Sequence, residues 1–370
     1  MKEKKGIGNI EECISEYREK GREKGSKRIV KGLMIVMMMV VMGCNSGGVK
    51  EGKGISGGVG SGLNEVISGA RQVFLETFLS FNDLLKGAFG ITADTTKEAV
   101  GERLGKVGEA VNVVKSKLEG LKIAENYSFI KDKADSIITK AIGILEKLIN
   151  GASKIKNATG SAVGKIASVT GDTDNAEPAD IESTKNLIAG ISLICESAKE
   201  VGIGLKGNAN KTIADSKEIG KLFNQTANAN DSKALDGAGR AVSSASGADI
   251  LAAIEAVKDK SSVAAGNINA AKNAYDIAIA NKSNSDITDN VKTNASAIAA
   301  GLALRAMAKN GKLATHATNA PGQAVNAVLI GAVGKTVNEI VSTIRRTVDQ
   351  CLKDVNDCLE EYSSSEVKSK

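Results

Sequence analysis

The stretch that most constrains the fold lies near the C-terminus, where Val337, Val341, Ile344, Val348, Cys351, Val355, Cys358 and Tyr362 recur at alternating steps of four and three. That spacing puts them on one stripe of an α-helix and predicts a single helix over residues 323–362, begun just after Pro321-Gly322. At 1.5 Å per residue such a helix is about 60 Å long. A helix cannot cover its own stripe, so other helices must lie along it. A matching stripe of Leu63, Ile67, Ala70, Phe74, Phe78, Phe81, Leu85 and Ala88 predicts a first helix over residues 63–88. The two end helices are expected to pack together.

Nothing between them favours strands. Two prolines interrupt the chain, aromatics make up 3% and tryptophan is absent, so helices are expected throughout, with some of the glycines serving as caps and close helix contacts. Asp94 and Thr95 supply cap chemistry for a second helix running to about residue 124. On it Glu98, Glu102 and Glu109 alternate with Lys97, Arg103 and Lys106, as on a solvated face. A third helix is expected over residues 128–153, with Ile130, Ala134, Ile137, Ile138, Ala141, Leu145 and Leu148 turned inward. From about 154 to 290 the texture loosens. Residues 172–178 read as a loop, Pro178 suits the opening of a helix to about 205, and residues 207–210, 224–232 and 281–286 are polar breaks. Short helices such as 248–258 lie between them. This middle part offers little apolar side chain per residue and is expected to be the less stable, with loops gathered at one end. An alanine-rich helix over 294–309 then stops at Asn310-Gly311.

The N-terminus carries a different signal. Lys27, Arg28 and Lys31 precede the apolar run from Leu33 to Met42, which ends in Gly43-Cys44. A run this short cannot span a bilayer, which takes about 20 residues. A basic flank, an apolar segment and a small residue before cysteine make a bacterial secretion signal with a lipoprotein cleavage box. Gly43 lets the signal peptidase close on the chain, and the Cys44 thiol accepts a diacylglycerol before cleavage. The freed Cys44 amine then takes a further acyl chain. One chain binds a membrane marginally, whereas two or three hold firmly. Met42 is bulkier than the box usually carries, and residues 1–26 form a leader longer than export requires. After Cys44, residues 45–62 hold eight glycines in eighteen positions, a tether averaging about 20–25 Å end to end. The expected organisation is therefore a signal over 1–43, a lipidated tether over 44–62 and a helical body over 63–370, with a variable, loop-rich middle at about 150–320.

Charge and motifs exclude several classes. Residues 1–43 carry ten Lys and Arg against six Glu, so only +2 of the net +6 belongs to residues 44–370. Bases are interspersed with acids and no aromatic platform accompanies them, so nucleic acid is not an expected partner. Gly52-Lys53-Gly54-Ile55-Ser56-Gly57 spells a dinucleotide fingerprint without the strand that must precede one. Gly331-Ala332-Val333-Gly334-Lys335-Thr336 has two residues between its glycines where a phosphate loop needs four, and it lies inside a helix. The single histidine, His316, sits in a threonine-rich loop with no nucleophile or acid beside it, and clustered zinc ligands are missing. Cys351 and Cys358 are seven apart on one helix, about 10.5 Å along its axis, too far for a disulfide; with Cys195 they read as small core residues. No catalytic residue, cofactor or metal is expected, and the chain does not read as an enzyme. Arg305, Lys309 and Lys312 are the residues that would form a basic patch for sulfated sugars or acidic lipids, or else a solvated helix end.

Several blocks carry a family resemblance. They are the box through Cys44-Asn45-Ser46-Gly47-Gly48, Phe78–Phe81, Gly87-Ala88-Phe89-Gly90-Ile91, Ala93-Asp94-Thr95, Ile219-Gly220-Lys221-Leu222-Phe223 and Ser246-Gly247-Ala248-Asp249-Ile250-Leu251. The run from Ile298 to Lys312 is the most specific, and Ala332-Val333-Gly334-Lys335-Thr336 follows it. In this order the chain resembles the variable large proteins of relapsing-fever Borrelia; the segment after Cys351 and the long leader are less typical. The resemblance implies an antigenically variable surface lipoprotein that dominates the cell coat. One family member is usually expressed at a time, and switching evades host antibody. The related Vls lipoproteins are elongated helical bundles with both termini near the membrane. The fold expected is thus all-α, an elongated bundle with its end helices packed together and membrane-proximal. The implied location is the cell outer membrane, facing outward, and the implied partners are that membrane, host antibodies and, in self-association, further copies of the chain. The alternative reading is an adhesin for host glycosaminoglycan or plasma protein through Arg305, Lys309 and Lys312.

Overall fold

The computed structural model describes residues 90–367 apart from 124–126, 128–130, 161, 163, 172–173, 225–231, 260–265, 283–285 and 288–290. The chain divides into two units, Met1–Gly57 and Gly58–Lys370, and every described residue belongs to the second. The helix expected over 63–88 lies outside the described residues.

Among the described residues the protein is helical, and extended pairing is confined to isolated bridges. The helices are α1 (Lys97–Lys122), α2 (Lys131–Gly160), α3 (Ile181–Glu200), α4 (Ser232–Ser244), α5 (Gly247–Glu255), α6 (Ala274–Ile279), α7 (Ala295–Met307) and α8 (Gly322–Val367). Two short 3-10 turns, Lys217–Phe223 and Ile268–Ala270, lie between α3 and α4 and between α5 and α6.

Local chemistry sets most boundaries. Thr96, rather than Asp94 or Thr95, caps α1 by accepting from the Ala99 amide at 3.0 Å. Asp180 caps α3 through the Ser183 amide at 2.8 Å. At α5 a reciprocal box forms: Ser246 Oγ accepts from the Asp249 amide at 3.1 Å and Asp249 Oδ2 from the Ser246 amide at 2.9 Å. α3 stops at Glu200 rather than near 205 because Gly202 turns left-handed at φ +77°. The Ile203 amide then reaches back to the Ala198 carbonyl and the Gly202 amide to that of Lys199, which satisfies the helix end. α2 runs to Gly160, beyond the expected 153, because Ala152, Ile155 and Ala158 continue its buried stripe.

α1, α2 and α3 form an antiparallel series whose contacts depend on missing side chains. Gly101 faces Thr159, where a Cβ would fall 1.9 Å from Oγ1. Gly151 and Gly190 face each other across α2 and α3, and a Cβ on Gly190 would come within 2.7 Å of both the Gly151 carbonyl oxygen and Ile155 Cγ1. The helices can approach this closely only through glycine. Gly190→Val should therefore destabilise the protein by about 1–3 kcal/mol through forced separation, read as a lower urea midpoint. An unchanged midpoint would show that the crossing is not close in solution.

α8 spans 46 residues, about 70 Å, and its expected seam is buried from Val337 to Cys358. Among the described residues α8 packs against α1, α2, α3, α4, α5 and α7. Burial extends to a second stripe of Val333, Thr336, Ile340, Thr343 and Thr347. Thr336 and Thr347 donate their hydroxyls to the Ala332 and Thr343 carbonyls, each at 2.8 Å, so these polar groups enter the core satisfied. α8 is apolar and long enough to cross a membrane by composition, and this packing accounts for its apolar faces.

α7 carries the core into the middle of the chain. Every one of its residues is buried, against α4, α5, α6 and α8. Phe223, Ile250, Leu251, Ile254 and Tyr275, all from the stretch read as loose, are buried around it.

Candidate functional site

Ionisable side chains in the interior are where a site would be sought, and two of the largest are cations. Arg305 and Lys97 are each only 1% exposed. Arg305 comes from the last turn of α7. Its Nε donates to the Lys312 carbonyl at 2.9 Å, and its Nη1 to the carbonyls of Ala278 at 2.9 Å, Ala280 at 3.0 Å and Ile277 at 3.3 Å. Its Nη2 donates to the Glu177 carbonyl, and its guanidinium lies 4.6 Å from the centre of the Phe223 ring. Lys97 opens α1, and its Nζ donates to the carbonyls of Ala308 at 2.6 Å, Gly311 at 3.1 Å and Asn310 at 3.2 Å.

Both cations do the same thing. A helix leaves its last carbonyls without partners and with partial negative charge. Arg305 supplies donors to the end of α6, and Lys97 to the end of α7. A third case is Lys335 of α8, whose Nζ donates to Val242, Ser243 and Ala245 carbonyls at 2.6, 3.0 and 2.8 Å at the end of α4. Each helix end is closed by a cation from another part of the chain. The loops gather on the same centre: Thr170 donates its amide to the Leu313 carbonyl, Asp180 to Lys309, Lys312 to Glu177 and Ala314 to Leu222.

The centre is rich in positive charge. Its nearest carboxylate, Glu177, pairs with Lys312 at 3.0 Å and is half exposed. Burial pulls the Lys97 ammonium down to about 7, with repulsion from Arg305 and then Lys312 adding to it and Glu177 opposing. Burial lowers Arg305 to about 9, again against Glu177, which leaves it charged at neutral pH.

Two sequence expectations are corrected here. Arg305 is not a surface contact for a polyanion, because its guanidinium is enclosed and fully engaged with carbonyls. Lys97 is not on a solvated face. Lys309 is exposed, and Lys312 is half-buried and paired with Glu177, so the three do not form one accessible patch. Gly43 and Cys44 lie outside the described residues. Cys195, Cys351 and Cys358 are buried thiols, with burial pushing Cys195 and Cys351 up to about 12. His316 is half-buried in a turn, its Nδ1 accepting from the Asn319 amide at 3.1 Å and the Thr318 amide at 3.3 Å. Among the described residues no group of three or more His, Cys, Asp or Glu is placed to hold a metal ion. Sequence reasoning missed the Lys97 role entirely. For Arg305 a signal existed: it is the one charge in a run from Ile298 to Ala308 that is apolar on all faces, which marks a buried and paired cation.

Fold and site together define a helical scaffold protein in which buried cations hold loops in place. The Borrelia lipoprotein family model matches residues 74–359, and the chain belongs to this family. Variable large protein 4 of Borrelia hermsii is 35% identical over 325 residues, covering 85% of this chain and 88% of that protein. Variable large protein 17 of the same organism is 34% identical over 310 residues, covering 81% and 82%. The crystal structure of the Lyme disease variable surface antigen VlsE of Borrelia burgdorferi overlays with a TM-score of 0.70 at 29% identity, covering 80% of this chain and 98% of that one. The chain is thus a helical relative of variable surface antigens.

Proposed function

We propose that the protein is an antigenically variable major coat protein, held on the outer face of the outer membrane by acyl chains on Cys44. Expression of one family member at a time, followed by switching to another, would present host antibodies with a new surface. One conjunction carries this reading: a Gly43-Cys44 lipoprotein box heads a chain that is similar over most of its length to variable large proteins and to a variable surface antigen. Physical support comes from the division of labour in the fold. The interior is tied together by buried cations, glycine crossings and the α8 seam, so polar surface loops can change while those contacts stay. Residues 1–43 would be removed and residues 44–62 would act as the tether. The body from residue 63 has a structural role and no catalytic one in this reading. The adhesin alternative is not favoured, since Arg305 is enclosed and Lys312 is paired.

Labelling cells with radioactive palmitate tests the anchor. Label should enter the wild-type protein, and Cys44→Ala should lose both label and partitioning into detergent; an alanine variant that still labels would refute the assignment. Protective antibodies mapped on intact cells test the coat role, with binding expected to concentrate in residues 150–320 and not in 337–362.

A further inference from the structure

Asn310-Gly311 follows α7, and asparagine before glycine is the pair in which backbone attack on the side-chain amide is least hindered, because glycine has no Cβ in the way. In that reaction the Gly311 nitrogen bonds to Asn310 Cγ, the Cγ–Nδ2 bond breaks, and ammonia leaves with the displaced amide proton. Water then opens the five-membered imide at either carbonyl to give aspartate or isoaspartate. Asn310 is exposed to that water. It is also the only non-glycine residue with positive φ among the described residues, at +68°.

Ring closure requires the peptide plane between Asn310 and Gly311 to swing until its nitrogen faces Cγ. Both edges of that plane are tied. The Asn310 carbonyl accepts from Lys97 Nζ at 3.2 Å, and the Gly311 amide donates to the Lys309 carbonyl at 3.1 Å. Lys97 also holds the Gly311 carbonyl at 3.1 Å. On its other side Gly311 is pressed on α7, where a Cβ would fall 2.0 Å from the Arg305 carbonyl oxygen. The plane has no room to turn while Lys97 stays in place.

We propose that Asn310-Gly311 is a latent deamidation site, kept unreacted by the Lys97 clamp. Local opening of the cation centre, rather than unfolding of the whole molecule, then commits the chain to an irreversible change. The product adds a negative charge next to the Lys97 clamp, and the isoaspartate form lengthens the backbone by one methylene, so the end of α7 cannot reclose as before. Asn150-Gly151 is the same pair inside α2. Helical hydrogen bonds hold it, and it reports global unfolding.

The test is ageing of the folded, full-length protein at mildly alkaline pH, with peptide mass spectrometry of both asparagines. Position 310 in the wild type should convert at least about tenfold more slowly than in a free peptide of residues 306–315, as for an amide released only by local opening. Lys97→Met should bring position 310 close to the peptide rate while Asn150 remains an amide. Wild-type conversion at the peptide rate, or a Lys97→Met protein as slow as wild type, would overturn the proposal. Should Lys97→Met convert both asparagines, it has unfolded, and wild type in urea below its midpoint decides. Selective conversion at 310 then supports the clamp, and simultaneous conversion of both sites refutes it.

Discussion

Replacing Arg305 with methionine should cost at least about 4 kcal/mol of stability, a large share of the roughly 5–15 kcal/mol that holds a folded domain together. The methionine fills much of the volume but donates nothing. It strands the carbonyls of Ile277, Ala280 and Lys312, and leaves those of Glu177 and Ala278 with only the Lys312 and Ala179 amides. A buried acceptor without a partner costs about 1–3 kcal/mol, and the contributions are not additive, which is why the expectation is a lower bound. Arg305→Lys should recover part of the loss only, because an ammonium has three donors and lacks the planar fork that serves the end of α6 and the Glu177 loop together. Lys309→Ala, on the exposed neighbour, should stay within about 0.5 kcal/mol of wild type. Urea unfolding followed by circular dichroism separates these outcomes. An Arg305→Met protein within 1 kcal/mol of wild type would mean that the site opens to solvent at little cost, contrary to its 1% exposure.

The second large effect is a dependence on pH that originates at Lys97. Its folded pKa of about 7 lies below the ordinary lysine value of 10.5. Between those two values the unfolded chain carries a proton on Lys97 that the folded chain has released. Stability therefore rises with pH across this window, and below pH 7 the full cost of the buried charge is present. The slope from this group approaches about 1.4 kcal/mol per pH unit, which accumulates to roughly 4 kcal/mol by pH 10. Other groups titrate in the same range, so the quantity to measure is the difference between wild type and Lys97→Met at each pH. That difference should shift in favour of wild type as pH rises from 7 to 10. A constant difference would show that the three carbonyls hold Lys97 charged throughout.

How much of this was legible in the sequence depends on the range of the interaction. The α8 seam follows from side chains three and four residues apart, which any helix brings onto one face. Its position and burial could be written down in advance. The capping box at Ser246 and Asp249 and the starts of α1 and α3 near Thr96 and Pro178 are similarly local. The stop of α3 at Gly202 was harder, because Gly202 and Gly204 both offer a left-handed turn and only the position of Ala198 and Lys199 selects the first.

What covers the α8 seam is a different matter. Apolar periodicity says that a partner exists, and not which of several apolar helices it is. Tertiary structure set α2, α3, α5 and α7 against α8, and put α7 at the centre, although its sequence read only as an alanine-rich helix ending at Asn310-Gly311. Small side chains lowered its apparent apolar content while allowing neighbours to approach on every side.

The cation centre shows the limit most clearly. Amino-acid type alone determined that Arg305 was a lone charge among apolar neighbours and that Asn310-Gly311 would end its helix. Nothing local tied either of them to Lys97, whose nearest acceptor, the Ala308 carbonyl, is 211 residues away along the chain. A cation in the first turn of a helix ordinarily points to water, since the dipole there repels it. Only the folded structure, by setting the start of α1 against the open end of α7, turns that unfavourable position into a cap. The sequence by itself determined the long, strongly periodic helices, and tertiary structure decided which charges close them, because helix ends meet across distances that no sequence periodicity spans.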